Sequence, residues 1–393
     1  MDKPLRILAV VPLPWDPRFG AARVWIELTE EWTKAGHVVE KFCLTDAFPG
    51  RPASRITATL RPWLFIYKAA LFVRKHGKRF DVIDALIGSL PFSKRGLRFK
   101  GLLVARSVGL PRHYDQFERS MEKRWPQIAR GTVAGRILRA FLRWRFLRAA
   151  DNSIQRADLI NLPNEEEAIS LRREAGKKLR LIVQPFGLTI EQSLALGGCA
   201  LPTPVRLERK KICFIGMWGA RKGSYDWSHI IKHVRKRVPG ASFCFLGTMI
   251  DSKIILRDCE EGTADAFQCV SEYQPKDLPG LLADCTVGAF PSYVEGFGLA
   301  VIEQLAAGIP TVAYDVAGPR DILGASLPEL LVPAGDTASF AETISGILRA
   351  SHEQYESLSK RSVEAASRFS WPAVAHHTAQ SYQIALTELT ART

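Results

Sequence analysis

The feature that most limits how this chain can fold is an alternation, sustained along its length, of short apolar runs with longer amphipathic stretches. The first run, LRILAVV at 5–11, has the near-continuous apolar character of a strand buried on both faces. Parallel sheets covered by helices are built from such strands. A loop with Pro12, Pro14, Pro17 and Gly20 follows, then a helical pattern over 22–34 that stops at Gly36, then a second strand, HVVEKFCL. Strand, loop, helix and strand in that order make a βαβ unit. The same punctuation predicts a helix near 62–76, strands at 80–86 and 102–108, a long helix over 133–150, and strands in DLINLP and LRLIVQPFG. The stretch 196–210, rich in Gly, Pro and charge, reads as a linker. Beyond it the alternation restarts at KICFI and runs through SFCFLG, FQCVSE, TVGAF, TVAY and ELLVP.

The 393 residues are too many for one ordinary core. The expectation is an α/β chain of two Rossmann-like, doubly wound domains, 1–198 and 206–372, facing a central cleft, with a last helix over 373–391 packing back on the first. Ligands of such folds sit at the carboxyl ends of the strands.

Charge separates the two halves. Residues 1–200 carry 35 basic and 19 acidic side chains, whereas the remainder carries 19 and 21. An excess confined to one half points to an anionic partner for that half. Two stretches in it mix cations with apolar residues. Arg136, Arg139 and Arg143 recur at i, i+3 and i+7 beside Ile137, Phe141 and Trp144, and 63–79 joins Trp63, Leu64, Phe65 and Ile66 to Lys75, Lys78 and Arg79. Such helices either pack on a core with solvated basic faces or dock on anionic lipid. No nucleic-acid motif accompanies the charge, so nucleic acid is not the expected partner. The seven cysteines form no C-x-x-C pair and read as buried thiols of a reducing compartment. The N-terminus runs straight into a strand without a leader pattern, and no apolar run is long enough to span a bilayer. A cytoplasmic protein, peripheral on the inner face of the membrane, is the expected setting.

The chemistry concentrates in 290–321, FPSYVEGFGLAVIEQLAAGIPTVAYDVAGPRD. A strand ends at Phe290, a loop runs through Gly296, and a helix begins near Gly298. The free amides of Phe297, Gly298 and Leu299 then meet the positive end of the helix dipole, an arrangement suited to a phosphate. On a helical wheel Glu303 falls at the edge of the stripe made by Leu299, Ile302 and Ala306. A carboxylate there needs a donor, which ribose hydroxyls or a neighbouring amide or arginine would supply.

Glu295-Gly-Phe-Gly-Leu, with Glu303 eight positions later and Ala307-Gly308-Ile309-Pro310 beyond, resembles the E-x7-E signature of the retaining glycosyltransferases of family 4, which have the GT-B fold. The resemblance implies that Glu303 binds the donor ribose, that Glu295 lies near the transferred sugar, and that the amides of 297–299 hold the diphosphate. Gly216 to Gly223, GMWGARKG, resembles the family loop that clamps the diphosphate with an arginine and a lysine. Lys222 matches; Met217 stands where the arginine would fall, and Arg221 is the substitute. In the first half Gly20 lies in a loop similar to the family's Gly-Gly-Ala-x-Arg, and Arg106-Ser107-Val108-Gly109 sits where many members carry His-Gly, with Val108 in place of the histidine. His113 lies nearby. Arg106, Ser107 and His113 are therefore the acceptor-side candidates.

These matches imply transfer of a sugar from a nucleotide diphosphate sugar to a glycan or lipid-linked acceptor, in bacterial cell-surface polysaccharide or glycolipid synthesis. No Asp-x-Asp pair exists to bridge a metal to the diphosphate, so no metal and no cofactor are expected. Two other readings share the fold: a nucleotide-sugar epimerase, and a weakly catalytic protein that binds sugar nucleotides or membrane surfaces.

Overall fold

The computed structural model describes residues 3–52, 54–124, 133–175, 179–259 and 266–391. The chain divides into two units, Met1–Pro185 with Trp371–Thr393, and Phe186–Ser370. The sequence places the boundary later, near 198–206. The stretch read there as a linker is largely helical, Ile190–Gly198 and Thr203–Arg209. Its first helix is closed by a reciprocal cap between Thr189 and Gln192, a local signal that outweighs the two glycines at its end.

Among the described residues the first unit holds six parallel strands: β1 (Arg6–Val11), β2 (Val38–Cys43), β3 (Val82–Leu86), β4 (Leu102–Arg106), β5 (Leu159–Leu162) and β6 (Leu181–Val183). Their order in the sheet is β2-β1-β3-β4-β5-β6. The order reverses direction between β1 and β3, and the crevice beyond the strand ends at such a switch point is where open α/β sheets bind ligands. β4 is buried at every residue. One core layer packs Phe65, Ala69 and Val73 against Val10, Ile83 and Leu103; another gathers Ile87, Ala105, Ile154 and Ile160. The helix Trp371–Thr390 completes this unit, where Ala375 O accepts from Trp32 Nε1 at 3.0 Å.

The second unit contains β7 (Lys211–Ile215), β8 (Ser242–Leu246), β9 (Phe267–Val270), β10 (Val287–Phe290), β11 (Thr311–Tyr314) and β12 (Leu331–Val332). All are parallel, in the order β12-β11-β10-β7-β8-β9. Counted within the unit this is the 3-2-1-4-5-6 arrangement of dinucleotide-binding folds, with its switch point between β7 and β10. Both sheets are therefore Rossmann-like, as the alternation predicts.

Among the cysteines, Cys43, Cys213, Cys244, Cys259 and Cys285 are buried thiols; Cys269 is half-buried, and Cys199 is exposed. No described helix is long and apolar enough to cross a membrane.

Candidate functional site

In the second unit the loops leaving the two switch-point strands bring the charged candidates together. The loop after β7 carries Gly216, Arg221 and Lys222; the loop after β10 carries Glu295. Glu295 Oε1 accepts from Arg221 Nη1 at 2.8 Å and from Lys222 Nζ. Lys222 Nζ also stands 4.6 Å from the centre of the Phe290 ring, and Arg221 Nη1 donates to Val294 O at 3.1 Å. Burial opposes the charge on Glu295, yet the Lys222 and Arg221 cations outweigh it and hold the carboxyl below its usual range. Burial likewise lowers the Lys222 pKa, partly offset by Glu295. Two cations on one carboxylate leave this cluster with a net positive charge at neutral pH, poised for an anion.

The loop after β10 enters the helix Leu299–Ala306 through Gly298, whose φ of 104° no ordinary side chain adopts comfortably. Among the described residues no side chain caps this helix start; Val301 N donates to Gly298 O at 2.8 Å, and the amides before it are left to another acceptor. Gly318 fixes the same turn from behind, because a Cβ there would lie 2.0 Å from Phe297 O. The side chain of Phe297 is not a ligand group; it is buried between Phe186 and Phe369. At the other end Arg206, itself buried, donates to Ala307 O at 2.8 Å and Gly308 O at 3.2 Å, satisfying the terminal carbonyls with a cation. Glu303 is on this helix and only 5% exposed.

One polar cluster here carries no sequence signal. Asp226 Oδ2 accepts from Tyr293 Oη at 2.6 Å and from Tyr314 Oη at 2.7 Å. It ties the loop after β10 to the start of the helix Trp227–Arg237 and to β11, partners far apart in sequence. Met217 is 53% exposed, so nothing in the core requires an apolar residue where the arginine would fall.

Gly20 and the acceptor-side candidates lie in the first unit. Gly20 opens the helix Gly20–Lys34 and is exposed. Arg106 departs from the expected role: it is 1% exposed, donates to Asp84 at 2.7 Å and to Tyr382 Oη at 2.9 Å, and holds the core of the unit. A guanidinium at the last position of a central strand is drawn inward by a carboxylate on its neighbour, which the sequence alone does not display. His113 Nε2 sits 3.3 Å from Ser170 Oγ, and burial lowers its pKa.

Ser107 Oγ donates to the buried Glu167 at 2.7 Å and accepts from Gly109 N at 3.0 Å, while Leu110 N donates to Glu167 at 3.0 Å. Burial pushes the Glu167 carboxyl up to about 7. Its proton is thus held more tightly in the folded protein than in the unfolded chain. Stability from this group is full below the unfolded value near 4.5 and falls as pH rises to about 7. The loss amounts to roughly 3 kcal/mol at most. Glu167→Gln keeps an acceptor for Leu110 and can donate to Ser107, so it is expected to flatten this slope and raise the melting temperature at pH 8 by several degrees. Thermal unfolding of both proteins at pH 5 and pH 8 checks it; parallel pH profiles would remove Glu167 as the cause.

A cavity of 350 Å³ opens at the switch point of the first unit, beyond the ends of β1, β3 and β4. Pro12, Trp63, Ile66, Val108 and Phe146 line it together with Ser89 and Ser107. Among the described residues no three of His, Cys, Asp and Glu gather as a metal site.

Residues 209–350 match the family described as glycosyl transferases group 1. The chain is 32% identical over 130 residues to a D-inositol 3-phosphate glycosyltransferase of Catenulispora acidiphila, covering 33% of this chain and 30% of that protein. It is 26% identical over 267 residues to the 2-deoxystreptamine glucosyltransferase of Streptomyces kanamyceticus, covering 63% and 64%. Thus the chain spans less than a third of the inositol-phosphate relative and just under two thirds of the other. Among solved structures, sucrose-phosphate synthase from Thermosynechococcus elongatus superposes with a TM-score of 0.75 at 19% identity, covering 99% of this chain and all of that one. The Anabaena HepE complex with UDP and glucose gives 0.66 at 14% identity over 96% and 99%. The architecture is the GT-B fold that these proteins share, and the family match falls within the second unit.

Proposed function

We propose that the protein is a retaining glycosyltransferase that moves a sugar from a nucleotide diphosphate sugar to a glycan or lipid-linked acceptor, without a metal. The observation that carries this reading is the placement of Arg221, Lys222 and Glu295 together at the switch point of a 3-2-1-4-5-6 sheet, within the segment that matches group 1 glycosyltransferases. The helix start at Gly298 lies on the same loop. In this reading the amides of 297–299 hold the diphosphate, and Lys222 and Arg221 neutralise the charge that grows on it as the sugar departs. Glu295 keeps the two cations in register and contacts the sugar. Glu303 binds the ribose through its carboxylate, and the backbone of Gly216 borders the nucleotide. In the first unit Gly20 is the candidate for a donor contact, and the Ser107 loop with His113 is the candidate for the acceptor.

Retention places the acceptor's attack on the face from which the diphosphate leaves, so the leaving oxygens take up the acceptor's proton. No carboxylate nucleophile is assigned. The basic, apolar-striped helices of the first unit fit a protein that also docks on an anionic, inner membrane face while remaining outside the bilayer. NMR of the product's anomeric proton, with and without EDTA, tests the reading. Retained configuration and full activity in EDTA are expected; an inverted product, or activity that vanishes with the metal, would overturn it.

A further inference from the structure

The cavity of the first unit has a chemical character that the proposed reaction leaves open. It sits where a doubly wound sheet takes its ligand, and at 350 Å³ it has the size of a small-molecule site. Its walls are apolar: Trp63 and Ile66 from the helix Arg55–His76, Phe146 from the helix Val133–Arg156, and Val108 where the family resemblance would place a histidine. Such walls offer a sugar ring few hydrogen bonds, the hydroxyls in the lining being those of Ser89, Ser107 and Tyr114. One polar side chain in the lining is unaccounted for. Ser89 is 1% exposed, and its hydroxyl has no hydrogen-bond partner among the described residues. Leaving a buried hydroxyl unpaired is costly, and a ligand with one polar end would relieve the cost. Ser107, by contrast, is already committed to Glu167 and Gly109.

The surroundings say which apolar ligand fits. Phe146 lines the cavity and is also 48% exposed, so apolar surface continues outward from it. Leu60, Leu64 and Leu71 on one helix, and Ile137, Leu138 and Phe141 on the other, are all exposed. Arg145 joins the two helices, its guanidinium 5.9 Å from the Trp63 ring and Nη2 3.5 Å from Tyr67 Oη. Exposed apolar side chains on two of the helices that wall the cavity can take the remainder of an aliphatic chain; a soluble oligosaccharide gains nothing from them.

We infer that the cavity binds an aliphatic chain with a single hydroxyl or phosphate-ester end, the chain lying between Trp63, Ile66 and Phe146 and the polar end meeting Ser89. Assigning that chain to the acceptor rests on the transferase reading and selects a lipid over a glycan. The test is calorimetric titration of the full chain with straight-chain alcohols from hexanol to dodecanol. Affinity is expected to rise about fourfold per methylene and to level off once the chain outgrows the cavity. Ser89→Ala should weaken decanol about two- to tenfold and abolish any preference for decanol over 1-chlorodecane. Ala149→Phe, which fills the cavity, should abolish binding; Ile66→Ala, which enlarges it, should move the plateau to longer alcohols. Affinity independent of chain length, or unaffected by both cavity variants, would overturn the assignment. Titration of the same preparations with UDP-, GDP- and ADP-sugars separates the two claims. Nucleotide-sugar binding without chain-length dependence sinks the cavity alone, whereas chain-length dependence without nucleotide-sugar binding sinks the transferase reading.

Discussion

Lys222→Met is expected to lower sugar transfer by about 10²–10³-fold, the usual cost of removing one preorganised group that stabilises charge in the transition state. Methionine keeps the aliphatic stem beside Phe290 and removes only the ammonium. Glu295 still has Arg221 at 2.8 Å, so its carboxylate is not left buried and alone. That matters because stripping a buried ion pair of its only partner destabilises the fold and would mimic a catalytic loss. Lys222 acts on the departing diphosphate, so the fall should appear in kcat as well as kcat/KM. Glu303→Gln makes the contrast. It removes one charged hydrogen bond to the bound donor, about 1.5–3 kcal/mol, and should raise the donor Kd by about 10- to 100-fold while affecting the chemical step less. Steady-state kinetics and calorimetry with the preferred nucleotide sugar separate the two. If Lys222→Met retains kcat within about threefold of the parent, a change too small for a lost electrostatic anchor, the loop after β7 is not at the leaving group.

What the sequence discloses about this molecule follows the range of the interactions involved. Strands buried on both faces write their own signature: every residue of β10, and every residue of β4 before Arg106, is apolar or small. The strands β5, β10 and β11, buried throughout, are visible for that reason, whereas β2, β6 and β9 are less buried and are read from the alternation of elements. The charged loop residues of the second unit are legible through family likeness, and their convergence follows from the strand order. Helix limits are less visible. Pro62 reads as a helix start, but the helix Arg55–His76 begins earlier at a reciprocal cap between Ser54 and Thr57 and carries the proline inside. Side-chain partners distant in sequence are not visible at all. Arg106 reads as an acceptor-side cation until Asp84 and Tyr382 are seen beside it. The Asp226 cluster joins three elements, and the cavity takes its walls from the loops after β1, β3 and β4 and from three helices, Arg55–His76, Pro111–Arg124 and Val133–Arg156. Neither leaves a periodic trace.

The basic helices of the first unit show why exposure has to be seen before a docking surface is argued. Phe65, paired with Trp63 in the sequence as an interfacial anchor, is fully buried in the core. Arg143, on the expected basic stripe, is held by Asp115 and is not free for lipid. The apolar stripe, however, does not pack inward: Ile137 is 66%, Phe141 49% and Trp144 55% exposed. Helices that merely covered a core would bury these residues, so the observation favours the interfacial reading. Arg136, Arg139 and Arg148 are exposed among them, each worth about 1 kcal/mol near an anionic bilayer. The protein is therefore expected to co-sediment with vesicles rich in anionic lipid and only weakly with neutral ones. Reversing Arg136, Arg139 and Arg148 to Glu, with Arg143 left in its ion pair, removes about 3 kcal/mol of attraction before any new repulsion is counted. Vesicle affinity should then fall by about 100-fold or more. High salt should weaken the parent strongly but incompletely, because a Debye length of about 3 Å at 1 M screens the cations and not the burial of Phe141 and Trp144. Replacing Phe141 and Trp144 with Ser should remove that salt-resistant remainder. A parent protein that stays in the supernatant with anionic vesicles at low salt would show that the basic half meets some other anion.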